Sequence, residues 1–137
     1  MEIVVAELPE LAPGLSSTID RQVDDNSTAR QLGSGSVDVL ATPELVRLME
    51  AAAVAAVADH LPVGFTTVGV AINIKHVAPT PVGLGVKVRA DLVQVEGRRL
   101  KFEVLAHDEV EEIGRGIHDR VLVEVDSFVA KANRKLT

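Results

Sequence analysis

Glu50 is the residue whose setting most strongly indicates chemistry. It interrupts an otherwise apolar run from Leu48 to Ala58, and a carboxylate is costly to bury unless it is paired or hydrogen-bonded. Because glutamate is rarely fully buried, an alternative is that Glu50 lies on a solvated helix edge beside Arg47. The run has no other polar face, so we favour the functional interpretation, in which Glu50 is a nucleophile or general base.

Two further residues carry groups that could act with Glu50. His76 alternates with Ile74 and so shares a face with apolar neighbours. A lone histidine there is more often a hydrogen-bonded core residue, although histidine is the usual proton-transfer group near neutral pH. Thr42 precedes Pro43 and is explained as a helix N-cap. Neither residue is specific alone, but the three together supply a hydroxyl, a proton carrier and a nucleophile or base.

The glycine-rich basic segment GRGIHDR, residues 114–120, is a third candidate. Glycines such as Gly116 permit close backbone approach, and His118 and Arg120 are expected on the same side of a strand. This arrangement suits a ligand with a phosphate or pantetheine group laid along the strand. The alternative is an ordinary polar edge strand with a glycine bulge. The segment matches neither a phosphate loop nor a dinucleotide fingerprint.

The elements that position these residues follow a simple order. Residues 14–23 predict a first strand, and the small polar residues 24–36 predict a mobile loop. Thr42-Pro43-Glu44 is typical of a helix start, and the helix should run from Pro43 to about His60. Apolar residues then recur with period two, which predicts four strands, with a hairpin turn at residues 96–98. The alternating sets are Val68 to Ile74, Val86 to Leu92, Leu100 to Ala106 and Val121 to Val125.

This order predicts one α+β domain spanning the 137 residues. A helix that is apolar nearly all round must be covered on most sides. The simplest cover is a curved antiparallel sheet of about five strands wrapped around it, an arrangement that resembles the hotdog fold. Such a sheet has open edges, and pairing between two copies would cover one of them.

Composition excludes several classes of function. A formal net charge of −6, with three phenylalanines and no Trp or Tyr, argues against a nucleic-acid partner. The chain has no cysteine, and its four histidines lack metal-ligand spacing, so we predict no metal. Residues Met1 to Glu7 lack the basic lead of a signal peptide, and no apolar run is long enough to cross a bilayer. We therefore expect a cytoplasmic protein without a membrane partner.

Four blocks of sequence resemble the fluoroacetyl-CoA thioesterase-like family of single-hotdog acyl-CoA thioesterases. They are ATPELVRLMEAA (41–52), TTVG (66–69), Lys75-His76 and GRGIHDR (114–120). The resemblance runs from about Gly14 to the C-terminal strand. It implies a catalytic Thr42, Glu50 and His76, with Gly69 near the thioester and the strand of Arg120 near coenzyme A. It also implies a homodimer with active sites at the subunit interface, and such dimers could stack into tetramers. Coenzyme A enters only as part of the acyl-CoA substrate, so no separate cofactor is expected.

One departure from the family concerns the acyl group. The fluoroacetyl-specific member carries phenylalanines in a lid over this group, whereas the matching residues 26–39 contain no aromatic side chain here. We therefore expect hydrolysis of a short or unidentified acyl-CoA rather than of fluoroacetyl-CoA.

The mechanism implied is attack by Glu50, or by a water that it activates, with His76 assisting proton transfer. Unpaired N–H groups at the helix N-terminus near Thr42 would hold the oxyanion. Thr42 and Glu50 are separated by roughly 12 Å of helical rise. Either two chains serve one thioester, or the helix bends.

Three alternatives remain open at this point. The small polar loop suggests a non-catalytic acyl-CoA-binding hotdog protein. A hydratase acting on enoyl-CoA would be expected to carry an Asp and His pair in its own loop motif, which we do not find. A purely structural protein is disfavoured by the presence of all three candidate catalytic residue types.

Overall fold

The computed structural model describes residues 11–136, so the segment Met1 to Glu7 lies outside the described residues. Five strands form one antiparallel sheet in the order β1-β3-β4-β5-β2. Their bounds are β1 Ser16–Gln22, β2 Phe65–His76, β3 Gly85–Glu96, β4 Arg99–Asp108 and β5 Glu112–Glu124. The predicted hairpin turn between β3 and β4 is confirmed, with Gly97 at φ +59°.

The long helix, α2, runs from Thr42 to Val57 and continues as a 3₁₀ turn to His60, as predicted. Pro43 and Glu44 lie in its first turn, where a missing N–H and an acidic side chain are both favourable. The prediction that Thr42 is the N-cap is wrong. Ala41 occupies that position without a side-chain hydrogen bond, and Thr42 is the first helical residue.

The core lies between α2 and one face of the sheet. The helix contributes large and small apolar side chains, which pack against strand residues from β3, β4 and β5. The fully buried helix residues are Leu45, Leu48, Met49, Ala52, Ala53 and Val57. This arrangement confirms a long helix covered by a five-stranded antiparallel sheet, with β1 and β2 as its outer strands.

Strand β2 contains a bulge that changes which residues face the helix. Its pairing with β5 shifts between Gly69 and Ala71, so Val70 is an extra residue. Before the bulge, Thr67 is buried; after it, Ile72 and Ile74 pack against the core, while Val70 is half exposed. The predicted single alternating face from Val68 to Ile74 is therefore wrong, because the extra residue reverses the alternation.

The segment 24–36, predicted as a mobile loop, instead forms two short helical turns. A 3₁₀ turn spans Asp25–Ser27, and α1 spans Ala29–Leu32. The small polar residues act as caps, since Asp24 accepts from the Asn26 N–H and Thr28 accepts from the Gln31 N–H. Gly33, at φ +72°, ends α1 in the left-handed conformation.

Val125 was predicted to belong to the last strand, but it begins a third helix, α3, from Val125 to Asn133. Apolar residues recur there at the helical spacing of Val125, Phe128 and Val129, which replaces the period of two. Within residues 11–136, no helix has the length and apolar character needed to span a membrane.

Candidate functional site

Thr42 and His76 form a hydrogen-bonded pair at one end of the helix–sheet interface. Thr42 Oγ1 lies 2.7 Å from His76 Nδ1, and the two residues are the first of α2 and the last of β2. The hydroxyl of Thr42 is available for this contact because it caps no backbone group. Burial lowers the pKa of His76, so the imidazole is neutral at pH 7 and able to accept or give up a proton.

The other ring nitrogen of His76 is buried and makes no hydrogen bond to any residue between 11 and 136. An unpaired buried polar atom is unfavourable for stability, so this atom is a candidate for contact with a ligand or a partner subunit. A cavity of about 360 Å³ adjoins the pair. Besides Thr42 and His76, its walls are mostly small apolar side chains, among them Ala29, Val39, Ala78 and Pro79.

Glu50 lies in a second group of residues, in the middle of α2. Its Oε2 atom is 3.3 Å from Arg120 Nη1 and 4.0 Å from His118 Nε2. The side chain contacts a buried cation and is nevertheless 44% exposed. The alternative pairing with Arg47 is not what the structure shows, since Arg47 binds Glu44.

Arg120 and His118 point to the same side of β5, as predicted, and that side faces α2. Both side chains are buried. Arg120 donates from Nε to Thr67 Oγ1 at 2.8 Å and from Nη2 to the Thr67 carbonyl oxygen at 2.9 Å. Its Nη1 also lies 3.0 Å from His118 Nε2. The expected contact of these two residues with coenzyme A stays a prediction.

Glycine is required at positions 69 and 116 because another group lies too close for a Cβ atom, and this group differs between the two positions. A Cβ atom on Gly69 would lie 2.8 Å from Glu50 Oε2, so this glycine leaves room for the carboxylate. A Cβ atom on Gly116 would overlap the carbonyl oxygen of Asn73 in β2. Gly116 is thus explained by the packing of one strand against the next. The alternative of an edge strand is wrong, because β5 lies between β4 and β2.

The structure does not bring the three predicted catalytic residues together within one protomer. Thr42 and Glu50 are eight positions apart on an uninterrupted helix, a separation of roughly 12 Å. Gly69 and His76 are seven positions apart in β2, a separation of roughly 23 Å. The Thr42–His76 pair and the group around Glu50 are therefore two half-sites.

Sequence reasoning missed Thr67 as a functional candidate. Its hydroxyl and carbonyl oxygens both accept from Arg120. The available signal was its place two residues before Gly69 in the TTVG block. Among residues 11–136 no three His, Cys, Asp or Glu side chains gather as metal ligands would, and the expectation of no metal stays a prediction.

Comparisons with known proteins connect this geometry to a family. A family model described as fluoroacetyl-CoA-specific thioesterase matches residues 23–126. A fluoroacetyl-CoA thioesterase from Streptantibioticus cattleyicolor is 48% identical over 98 residues, which cover 72% of this chain and 70% of that protein.

Solved structures agree with the sequence matches. A variant of a fluoroacetyl-CoA thioesterase in complex with acetyl-CoA superposes with a TM-score of 0.87 at 41% identity, covering 93% of this chain and 100% of the other. A hot-dog-like protein from Thermanaerovibrio acidaminovorans, at 23% identity, has a TM-score of 0.86 over 93% of this chain and 95% of its own, which shows the fold alone. The predicted hotdog fold is confirmed.

Proposed function

This chain belongs to the fluoroacetyl-CoA-specific thioesterase family, and from that premise we propose that it hydrolyses a short acyl-CoA at a site shared by two protomers. Family membership makes the protein a thioester hydrolase, and acyl-CoA thioester hydrolysis is the corresponding reaction. The acyl group, the role of each residue and the dimer are the proposed parts.

The observation that carries the proposal is the separation of two complementary half-sites. Thr42 and His76 supply a hydroxyl and a neutral imidazole beside a cavity. Glu50 supplies a carboxylate over Gly69, where no side chain intervenes. A thioester needs an attacking oxygen at its carbonyl carbon and a proton for the departing sulfur, and the proposal assigns the first to Glu50 and the second to His76.

A homodimer completes the site if the outer edges of two β2 strands pair. Edge strands carry unpaired N–H and C=O groups, and pairing with a second copy satisfies them. An antiparallel pairing that placed Gly69 opposite His76 of the other copy would bring Glu50 of one protomer towards Thr42 of its partner. The uninterrupted course of α2 supports this solution over a bent helix.

The proposed reaction begins with the thioester carbonyl lying between the two half-sites. Glu50 takes a proton from a water that attacks the carbonyl carbon, or attacks that carbon itself to form an anhydride that water then hydrolyses. The oxyanion is held by N–H groups in the first turn of α2, which lack intrahelical acceptors. The C–S bond breaks, and the sulfur of coenzyme A leaves as a thiolate. His76 accepts the proton that the water has lost and passes it to this sulfur, so that the free acid, the thiol of coenzyme A and a neutral His76 remain.

The acyl group is proposed to be short, and fluoroacetyl is not favoured. The relative from Streptantibioticus cattleyicolor is a fluoroacetyl-CoA thioesterase by name. In this chain the wall of the cavity formed by residues 29–40 contains no aromatic side chain. A wall without aromatic rings offers a fluoromethyl group less apolar contact, so no preference for the fluorinated acyl group is expected.

The direct test is a series of acyl-CoA thioesters of increasing chain length, with fluoroacetyl-CoA included, followed by release of free thiol. We expect turnover of short acyl-CoAs without preference for the fluorinated one. Tight binding of acyl-CoA with no thiol release from any member would support the non-catalytic alternative and overturn the proposal.

A further inference from the structure

The guanidinium of Arg120 is buried and forms its contacts within the protein. Its side chain is 7% exposed, and it contacts four acceptor atoms on three residues: two oxygens of Thr67, a nitrogen of His118 and an oxygen of Glu50. A phosphate of coenzyme A would need an accessible cation, since the phosphates themselves are strongly hydrated. Burial, and the use of four of its five N–H groups in these contacts, make direct phosphate binding by Arg120 unfavourable.

The hydrogen bonds of His118 define its protonation state. Nδ1 lies 2.8 Å from the carbonyl oxygen of Ala71, which can only accept, so Nδ1 carries the proton. Nε2 lies 3.0 Å from Arg120 Nη1, which can only donate, so Nε2 accepts. Burial lowers the pKa of His118, and the neighbouring guanidinium acts in the same direction. His118 is therefore a neutral acceptor that helps to orient Arg120.

Three acceptors on two residues fix the plane of the guanidinium. Thr67 Oγ1, the Thr67 carbonyl oxygen and His118 Nε2 receive N–H groups from three different nitrogens of the Arg120 side chain. The fork geometry of arginine makes such an arrangement rigid. Nη1 is then left pointing at Glu50 Oε2, 3.3 Å away.

Glu50 needs this contact because little else restrains its side chain. The residue is 44% exposed, and its carboxylate lies against Gly69, where a Cβ atom would be only 2.8 Å from Oε2. A flexible carboxylate on a half-exposed helix position would otherwise sample several rotamers. Displacement of a catalytic group by about 1 Å can reduce a rate by about a hundredfold.

We propose that Arg120, oriented by Thr67 and His118, is a positioning residue that fixes the Glu50 carboxylate against Gly69. This rests on the proposed function of Glu50 in thioester hydrolysis, and it replaces a direct role for Arg120 in binding coenzyme A. Strand β5 thus affects the reaction indirectly, because its buried Arg120 holds the Glu50 carboxylate in place.

The test compares an acyl-CoA with the S-acylpantetheine that carries the same acyl group but lacks the nucleotide and its phosphates. Arg120→Gln should reduce kcat by about 10- to 100-fold for both substrates, with little change in KM. A rise in KM confined to the acyl-CoA would show direct phosphate binding and overturn the proposal. Arg115→Gln is the matched control, because Arg115 lies on the same strand but is exposed and bound to Glu112.

Thr67 variants keep the proposal testable if Arg120→Gln fails to fold. Thr67→Val removes one acceptor of Arg120 while keeping the side-chain shape and the cation, and should reduce kcat by about threefold to tenfold. Thr67→Ser keeps the hydroxyl and should restore kcat. Equal kcat values for the valine and serine variants would contradict the positioning role.

Crystal structures of the wild-type and Thr67→Val proteins separate this inference from the proposed function. We expect the Glu50 carboxylate to be ordered beside Arg120 in the wild type and to occupy several rotamers in the variant. An unmoved carboxylate would overturn the inference, whatever the activity. Absence of thiol release from every acyl-CoA by the wild-type protein would overturn the proposed function instead.

Discussion

The two half-sites differ in how firmly their side chains are held. Thr42 and His76 are joined by a single hydrogen bond, and the second nitrogen of His76 has no acceptor or donor among residues 11–136. Glu50, by contrast, contacts a buried arginine with three further hydrogen-bonding contacts to Thr67 and His118. This difference fits a division of labour: a proton carrier must exchange partners during the reaction, whereas an attacking or activating carboxylate must stay in one place.

The largest expected effect is at the firmly held half-site. Glu50→Gln keeps the shape of the side chain but removes its basicity, and should reduce kcat by about 10²- to 10⁴-fold. Thiol release from the preferred acyl-CoA measures it. Glu44→Gln, on the same helix and paired with Arg47, is the control and should retain activity. Near-normal turnover by the Glu50→Gln protein would remove Glu50 from the mechanism.

Gly69 should be the next most sensitive position. A methyl group there would lie 2.8 Å from Glu50 Oε2, so Gly69→Ala must displace the carboxylate. We expect kcat to fall by about 10- to 100-fold with the fold intact, as measured by thiol release and by the urea midpoint. An unchanged kcat would mean that the carboxylate does not act from above Gly69.

Mixed dimers test whether the half-sites belong to different chains. Thr42→Ala and Glu50→Ala proteins should each be nearly inactive, but subunit exchange between them creates hybrids with one intact composite site. Random exchange should restore about one quarter of wild-type activity. If each site came from a single chain, neither site of the hybrid would be intact, and mixing would restore nothing.

The packing of β5 against β2 supports both half-sites, and it can be weakened by a substitution that changes no residue of either half-site. Gly116→Ala places a Cβ atom against the Asn73 carbonyl oxygen, closer than van der Waals contact allows, and overpacking of this kind costs about 1–3 kcal/mol. Urea unfolding measures the loss of stability. Gly85→Ala, whose Cβ atom would meet nothing nearer than 3.5 Å, is the control. Equal stability of the two variants would contradict the close strand packing.

The smallest expected effect is on the pH dependence of stability. Burial lowers the pKa of both His76 and His118 below the ordinary value of 6.5. Near and below this pH, the unfolded chain therefore binds more protons than the folded chain. The free energy of unfolding should therefore fall as the pH drops through 6.5 and below. Urea titrations at several pH values measure this slope, and His118→Gln should flatten it. A slope unaffected by that change would mean that His118 is not kept neutral by the fold.

Most of the architecture could be predicted because local patterns decided it. The apolar run with Pro43 at its start predicted the buried helix α2, and the four period-two segments predicted the strands β2 to β5. The caps of residues 24–33 were misread, because Asp24, Thr28 and Gly33 serve loops and short helices equally well. The start of α3 at Val125 was missed because Val125 continues the alternation of Val121 and Val123.

The candidate site could be predicted residue by residue but not as an arrangement. Glu50 stood out because a charge interrupted an apolar run. The hydroxyl of Thr42 was assigned to a cap because the sequence cannot show whether the helix begins one residue earlier. Two of the partners of Arg120, Thr67 on β2 and Glu50 on α2, are more than fifty positions away in the sequence. Their contacts depend on strand register and helix packing, which composition does not reveal.

The extra residue at Val70 has a consequence for the chemistry of β2. In a regular strand, an odd-numbered and an even-numbered position project to opposite surfaces, so Gly69 and His76 could not both be turned towards α2. The unpaired residue between them reverses the alternation of side chains, so that odd-numbered positions before it and even-numbered positions after it face α2. Gly69 at one end of this strand can then make room for Glu50, while His76 at the other end contacts Thr42. In the proposed dimer, a two-fold symmetric pairing of β2 strands would bring these two ends together twice.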